Sequence, residues 1–196
     1  MPIAFPAVHG VAETWRLIAN TQMFVSDLNG AEQVAALPGD KWACTLTFTN
    51  MTRVNAGLMR GFLAQLRGRL NTAYVTPSDL PNGTLVGTPL VAGAGQTGSS
   101  LTTDGWGNSQ KVLAAGDYFE VNGEFKIVTA DVTSNGSGAA TINFAPPLRS
   151  APADNAAITV TNPRCTMRLV DDGQAEWQFG VNHVYGAVLN FIEAIE

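Results

Sequence analysis

Hydrophobic and polar residues alternate along several short segments of the chain, and this period of two is typical of half-buried β-strands. The clearest segment covers residues 41–49, where Trp42, Cys44, Leu46 and Phe48 fall on one face and threonines fall on the other. We therefore expect a strand with one buried face here. The same pattern predicts further strands at residues 14–17, 22–26, 141–144, 157–161, 165–169 and 184–195.

A β-hairpin is predicted around Asn122 and Gly123. This dipeptide is a strong sequence signal for a tight hairpin turn, because both residue types tolerate the positive φ angles that the turn requires. Strand-forming residues lie on both sides, at 118–121 and 125–128. Together with the other short strands, the hairpin indicates a small sandwich or barrel.

One segment has the period of an amphipathic helix, which we predict over residues 53–70 with Thr52 as the N-cap. Its apolar residues recur at a spacing of four, and we expect this stripe to face the core. The stripe consists of Val54, Leu58, Phe62, Leu66 and Leu70, with Met59 and Leu63 beside it.

A second line on the predicted helix is made of small residues. Glycine inside a helix costs about 1 kcal/mol relative to alanine, so this line indicates that another backbone approaches closely, either from the same chain or from a neighbouring subunit. Arginines on the same helix either contact a neighbour's carboxylates or phosphates or form a solvated face. The candidate interaction residues are Gly57, Arg60, Gly61, Ala64, Arg67 and Gly68.

The amino-acid composition of the chain changes after residue 77. Residues 81–107 are rich in Gly, Thr, Pro and Ser, so we interpret them as a connecting loop with at most a short strand near 90–92. Residues 108–163 then form an inserted small β domain. Residues 1–80 with 164–196 form a discontinuous first domain, a β-sandwich that carries the helix at 53–70. The predicted fold is mainly β, with one amphipathic helix.

The low content of charged residues and the negative net charge restrict the kinds of partner that we expect for the protein. Charged residues make up 14% of the 196 residues, against a typical share of about 25%. Either neighbouring molecules cover much of the surface, or uncharged polar residues replace the missing charges. The net charge of −5 provides no basic field for gripping nucleic acid.

The expected compartment follows from what the sequence lacks. No apolar run reaches transmembrane length, and the first residues lack the features of a signal peptide. We therefore expect synthesis in a cytosol, no membrane association, and buried reduced thiols at Cys44 and Cys165.

Residues suited to catalysis or metal binding are sparse. His9 and His183 lie in no recognisable nucleophile context, and the two distant cysteines lack the spacing of a zinc site. A dinucleotide-binding loop needs a strand before it and a helix after it, and the residues that follow the glycine-rich segment 93–98 do not continue as a helix. We predict no enzymatic activity and no cofactor or metal. The carboxylates that could form a glycosidase pair by residue type alone are Asp104, Asp117, Glu120 and Asp131.

Several motifs, taken in order, resemble distal tail proteins of tailed bacteriophages and a group of phage minor tail proteins. The helix carries LMRGFLAQLRGR at residues 58–69, preceded by PGDKW at 38–42. Later motifs are QTGSSL at 96–101, AGDYF at 115–119, PPLRSAP at 146–152 and CTMRL at 165–169. The similarity extends from about residue 22 to residue 169.

The resemblance implies a structural virion protein with a β-sandwich core, no catalytic residues and a place in the viral tail. Such proteins form homo-oligomeric rings, commonly hexameric, that join the tail tube to tip or fibre proteins around the DNA path. The partners implied are further copies of the chain and adjacent phage tail proteins, with DNA passing through the lumen without specific binding. A capsid decoration or head–tail connector protein is one alternative. A carbohydrate-binding adsorption module that stacks sugars on Trp106, Tyr118 or Trp177 is another.

Overall fold

A computed structural model describes residues 1–8, 11–79, 87–174, 178–179 and 185–195, and it confirms the mainly-β prediction. Besides the strands, these residues contain the helix α1 (Arg53–Leu66) and one 3₁₀ turn (Asp172–Gln174). The strands, in chain order, are β1 Ile3–Ala4, β2 Val11–Ile18, β3 Thr21–Val25, β4 Glu32–Ala36, β5 Lys41–Met51, β6 Ala73–Val75, β7 Gly87–Val91, β8 Ser100–Trp106, β9 Lys111–Leu113, β10 Tyr118–Val121, β11 Glu124–Val128, β12 Val132–Thr133, β13 Ala140–Ala145, β14 Ile158–Thr159, β15 Cys165–Leu169, β16 Gln178–Phe179 and β17 Tyr185–Glu193.

The first sheet combines strands from both ends of the chain, in the order β1-β6-β15-β17-β5-β2, with β16 also paired to β17. The predicted strand at 41–49 is the long strand β5, whose alternate residues are buried as expected. Strand β17 lies between β5 and β15 and pairs antiparallel with both. Cys44 and Cys165 are therefore on strands separated by β17, and both are buried free thiols.

Helix α1 covers one face of the first sheet, but it is shorter than predicted. It begins after Thr52, whose hydroxyl accepts the Asn55 N–H at 3.3 Å, so the predicted N-cap is confirmed. It ends at Leu66 rather than residue 70, because Arg67 adopts a left-handed conformation (φ 51°, ψ 52°). Gly68 follows with φ +66°, which carries the chain away from the helix axis.

The predicted core-facing stripe of α1 was also partly wrong. Val54, Leu58 and Leu70 are 73%, 52% and 64% exposed. A spacing of four advances about 40° around a helix of 3.6 residues per turn, so the stripe drifts from the solvent side to the core side. The buried face consists instead of Ala56, Met59, Phe62, Leu63 and Leu66.

The second sheet has the order β14-β10-β11-β13-β8-β7 and its own cluster of buried residues. The predicted hairpin joins β10 to β11, with Asn122 and Gly123 at φ 52° and 73°. The short strand expected near 90–92 overlaps β7 (Gly87–Val91), but the interpretation of the rest of 81–107 as a connecting loop was wrong for Ser100–Trp106, which pairs antiparallel with β7 in this sheet.

The missed strands have an identifiable pattern. Leu101, Thr103 and Trp106 are buried and are separated by exposed or half-buried residues. The high glycine content of the segment disguised this alternation. At Gly87 and Gly105 the two strand backbones approach so closely that a Cβ on either residue would contact the opposite main chain.

Candidate interaction surfaces

On the side of α1 that faces away from the core, the exposed residues between Arg53 and Arg67 are uncharged. We call this side the outer helix face, and all of its residues are exposed. A surface helix normally places charged residues along the side opposite its core stripe, whereas here the exposed arginines, Arg53 and Arg67, lie only at the two ends of the helix. The outer helix face consists of Val54, Gly57, Leu58, Gly61, Ala64 and Gln65.

Two glycines leave the outer helix face open. A Cβ built on Gly57 or Gly61 would meet no atom within 4 Å. No neighbour within the described part of this chain therefore explains why these positions are glycine. The sequence left two origins open for the approaching backbone, the same chain or a neighbouring subunit. The described residues of the same chain place no backbone near these two glycines.

The remaining candidate residues of the helix lie elsewhere. Arg60 is half-buried beside the outer helix face, and its Nε donates to the Ala56 carbonyl at 3.3 Å. Arg67 is exposed at the end of the helix. Gly68 has an intramolecular reason to be glycine, because a Cβ there would lie 2.5 Å from Oδ1 of Asp172. Of the six candidates, Gly57, Gly61 and Ala64 belong to the outer helix face, and Arg60 lies at its edge.

A second exposed surface is the hairpin formed by β3 and β4, which we call the arm. Every residue of both strands is exposed. The two strands pair only with each other among the described strands. An isolated two-stranded hairpin is marginally stable in water, so the arm has the properties of an element that is completed by a neighbour.

The two faces of the arm differ in composition. Met23 and Val34 are cross-strand neighbours on one face, and Val25 lies on the same face. These three side chains are 59%, 61% and 43% exposed, in the order Met23, Val34 and Val25. Phe24 is on the opposite face, and Leu28 is at the tip. Exposed apolar area of this extent on a folded chain usually marks an interaction site.

Hydrogen bonds hold the base and the tip of the arm. At the base, Asn20 N–H donates to Oδ1 of Asp40, and Asn20 Nδ2 donates to the Pro38 carbonyl, each at 2.7 Å. At the tip, Ala31 N–H donates to Oδ1 of Asn29 at 3.0 Å. The sequence predicted a strand at 22–26, but it did not show that this strand would stand apart from both larger sheets.

Charge is segregated between these two surfaces. Residues 20–40, which contain the arm, carry three acidic residues and no basic one. Residues 52–72, which contain α1, carry four arginines and no acidic residue. One of the arginines, Arg69, is paired with Asp172 at 3.4 Å. The arm is therefore electronegative and the helix region electropositive.

The two sheets meet at a junction with an aromatic part. Phe125 belongs to the second sheet but packs into the core of the first. Its ring lies 5.2 Å from Tyr118, 5.4 Å from Trp42 and 5.7 Å from Trp15, measured between centroids. The Trp42 indole Nε1–H donates to the Phe125 carbonyl at 3.0 Å. Aromatic packing of this kind fixes the two sheets against each other.

The junction also contains buried charges. Glu193 of β17 accepts the Trp42 N–H at 3.0 Å and pairs with Nη2 of Arg149 at 2.6 Å. Close by, Nζ of the fully buried Lys126 lies 2.7 Å from Glu124 and 2.8 Å from the Pro147 carbonyl. The charged groups therefore satisfy one another, and the arrangement binds the sheets together rather than presenting a free acid or base.

The pKa values at the junction follow from these contacts. Burial opposes ionisation of Glu124, but hydrogen bonds from Lys126 Nζ and from the N–H groups of Arg149 and Ser150 outweigh it, so the pKa of Glu124 is lowered. Burial lowers the pKa of Lys126, and its bond to Glu124 offsets only part of this effect.

Three of the four candidate catalytic carboxylates form hydrogen bonds or ion pairs within the chain. Asp117 accepts the Ala114 N–H, Asp131 pairs with Lys111, and Glu120 pairs with Arg164. Asp104 lies on β8. In the part of the chain that the structure describes, no group of three or more His, Cys, Asp or Glu residues could hold a metal ion.

The aromatic residues considered for sugar stacking are not presented to solvent as platforms. Trp106 is buried, and its Nε1–H donates to the Thr103 hydroxyl at 2.7 Å. Tyr118 is half-buried in the junction. Trp177, His9 and His183 lie outside the described residues.

Compared with known proteins, the chain matches no family model and no curated protein. None of the helical segments in the described residues could span a bilayer. The outer helix face and the arm are surfaces that no other part of the described chain covers.

Proposed function

We propose that this protein is a ring-forming structural component of a bacteriophage tail, at the distal tail or tail tip, where the tail tube joins tip or fibre proteins. The observation that carries the proposal is the pair of exposed, apolar surfaces formed by the arm and the outer helix face. Surfaces of this kind need neighbours to cover them. The resemblance of the sequence to distal tail proteins indicates that those neighbours include copies of the same chain.

The charge of the chain is compatible with a place around DNA. The net charge of −5 repels phosphate groups on average. A ring of such subunits lets DNA pass through its lumen without holding it. We expect the purified protein to leave double-stranded DNA unshifted in a gel at physiological salt, since few phosphate contacts are available.

The sugar-binding alternative is not favoured, because Trp106 is buried and Tyr118 packs in the junction. A capsid decoration or connector protein would use the same kind of interaction surfaces. Its position in the particle distinguishes it from a tail protein, so labelled antibodies on virions separate these two functions.

The test of assembly is the oligomeric state of the purified full-length chain. Mass photometry over a concentration series, followed by negative-stain imaging, should show closed rings. A strictly monomeric protein, even at high concentration and with adjacent tail proteins present, would overturn the proposal. Antibody labelling of the capsid alone would keep the structural role but overturn the tail location.

A further inference from the structure

We propose that the arm of one copy packs on the outer helix face of the next copy, so that each subunit donates one arm and receives another. This inference rests on the proposed self-assembly and specifies its interface. It begins from two surfaces that lack partners among the described residues and lie in segments of opposite charge.

Charge favours contact between unlike surfaces. If arms paired with arms, Asp27 and Glu32 of two copies would be brought together, and if helices paired with helices, their arginines would be brought together. Like charges placed opposite each other in an interface are unfavourable. An arm on a helix instead brings the acidic end of the arm, with Asp27 and Glu32 near its tip, towards Arg53 at one end of the helix.

Shape favours the same pairing. Gly57 and Gly61 project no side chain and leave open space above the helix backbone. Val54 and Leu58 lie beside them as exposed apolar side chains. The face of the arm that carries Met23, Val25 and Val34 supplies apolar side chains to fill that space. The interface would therefore have an apolar centre and a charged rim, which is the usual anatomy of a protein interface.

This pairing is also of the type from which rings are built. The donated surface differs from the received surface, so the contact is heterologous. A heterologous contact repeats from copy to copy, and it forms a ring when the rotation between copies closes. A contact between two identical surfaces would stop at a dimer.

Cysteine cross-linking of the full-length chain tests the geometry. Val34→Cys and Leu58→Cys are prepared separately, one with a tag that changes its mass; Cys44 and Cys165 are buried and stay unchanged. Oxidation of the mixture should give a disulfide-linked dimer of tagged and untagged chains. Each variant oxidised alone should give little dimer. Efficient dimer from Val34→Cys alone would show arm-to-arm pairing and overturn the inference.

A substitution that blocks the contact sterically tests the same interface without cross-linking. Gly61→Leu adds a side chain into open space, so the monomer should fold, as circular dichroism would verify. On the receiving face of a ring it should block the arm and prevent assembly. Gly136→Leu is the matched control, since Gly136 is exposed in a turn and a Cβ there would meet only the Ser109 hydroxyl within 4 Å. Normal assembly of Gly61→Leu would overturn the inference.

Charge reversal provides a rescue experiment. Glu32→Lys on the arm should raise the protein concentration at half-assembly by roughly tenfold or more, as should Arg53→Glu on the helix. Combining both changes in one chain should restore much of the loss. Rings that form in the wild type but show neither cross-link nor rescue would overturn the interface and leave the proposed function standing. A wild type that never assembles and never cross-links would overturn both.

Discussion

Gly105 and Gly123 have nearly the same left-handed backbone, with φ of +76° and +73°, but different surroundings. Gly123 is in the β10–β11 turn, and a Cβ there would meet no atom within 4 Å. Gly105 faces the neighbouring strand, and a Cβ there would contact the Thr88 carbonyl. Glycine is therefore required for different reasons at the two positions. At Gly123 the reason is the backbone conformation, and at Gly105 it is the conformation together with the close approach of the neighbouring strand.

Alanine at Gly105 and alanine at Gly123 should therefore lower the free energy of unfolding by different amounts. Gly123→Ala should cost about 1–2 kcal/mol, the strain of a left-handed L-residue. Gly105→Ala should cost this amount plus about 1–3 kcal/mol for the clash with the Thr88 backbone. Urea unfolding of both variants measures the difference. Equal losses would show that strands β7 and β8 are not as close as the structure places them.

Glu124 predicts a pH dependence of stability. Its pKa is lower in the folded than in the unfolded chain, so its carboxylate stabilises the fold above about pH 4.3. That contribution is lost as the pH falls through the lower, folded-state pKa. Urea unfolding of the wild type from pH 7 downwards should therefore show a decline that includes this contribution.

The matched variant is Glu124→Gln, which cannot ionise. At pH 7 it should be less stable by about 3–5 kcal/mol, because it leaves the buried Lys126 without its charge partner. The difference between wild type and variant should shrink as the pH falls. A difference that stays constant down to pH 3 would show that the ionised carboxylate contributes nothing at this position.

At the scale of elements, the helix shows how a repeated spacing can mislead. The residues at 54, 58, 62 and 66 suggested one face, yet the first two are exposed and the last two are buried. The end of the helix depended on Arg67 and Gly68, whose left-handed conformations are supported by Asp172 from a distant part of the chain. Asp172 accepts the Arg69 N–H at 2.8 Å, a contact that no local pattern announces.

The glycines of the helix region should respond to alanine in opposite directions. Gly61→Ala should stabilise the isolated monomer by about 1 kcal/mol, because the position is helical and open. Gly68→Ala should destabilise it, because its φ is +66° and its Cβ would meet Asp172. Urea unfolding at a concentration where the protein is monomeric gives both signs. Destabilisation by Gly61→Ala would indicate a close neighbour within the chain.

At the scale of the whole molecule, the junction connects two sheets that each have a separate cluster of buried residues. Phe125 is the link, since it extends from β11 into the cluster of the first sheet. Phe144 is also buried but belongs to the cluster of the second sheet, where its ring lies 5.9 Å from Nζ of Lys126. The two phenylalanines therefore separate cohesion between the sheets from cohesion within one of them.

Truncating these two side chains should give different unfolding curves. Each substitution, Phe125→Ala and Phe144→Ala, should cost about 3–5 kcal/mol, as expected for a buried aromatic ring. Phe125→Ala should also split thermal unfolding into two transitions, because it weakens the contact between the sheets. Phe144→Ala leaves the aromatic contacts of Phe125 in place, so this variant should unfold in one transition at a lower midpoint. One unsplit transition for both variants would show that Phe125 does not couple the sheets.

Local chemistry in the sequence determined much of this protein. Alternation specified β5 and β15, the Asn122-Gly123 dipeptide specified the β10–β11 turn, and the Thr52 hydroxyl specified where the helix begins. These features depend on residues that are close together in the chain, so their patterns are readable before folding. The small residues of the helix were readable in the same way, as a feature that needs a neighbour.

Only the tertiary structure decided which surfaces are left without partners. The sequence of the arm is typical of ordinary strands. Its residues are exposed because β3 and β4 pair only with each other and join neither of the larger sheets. The ion pair between Arg149 and Glu193 joins residues 44 positions apart, and the strand role of residues 100–106 depended on pairing with β7 and β13. Burial and pairing between distant segments are properties of the assembled chain, because each requires a second segment whose position no local pattern contains.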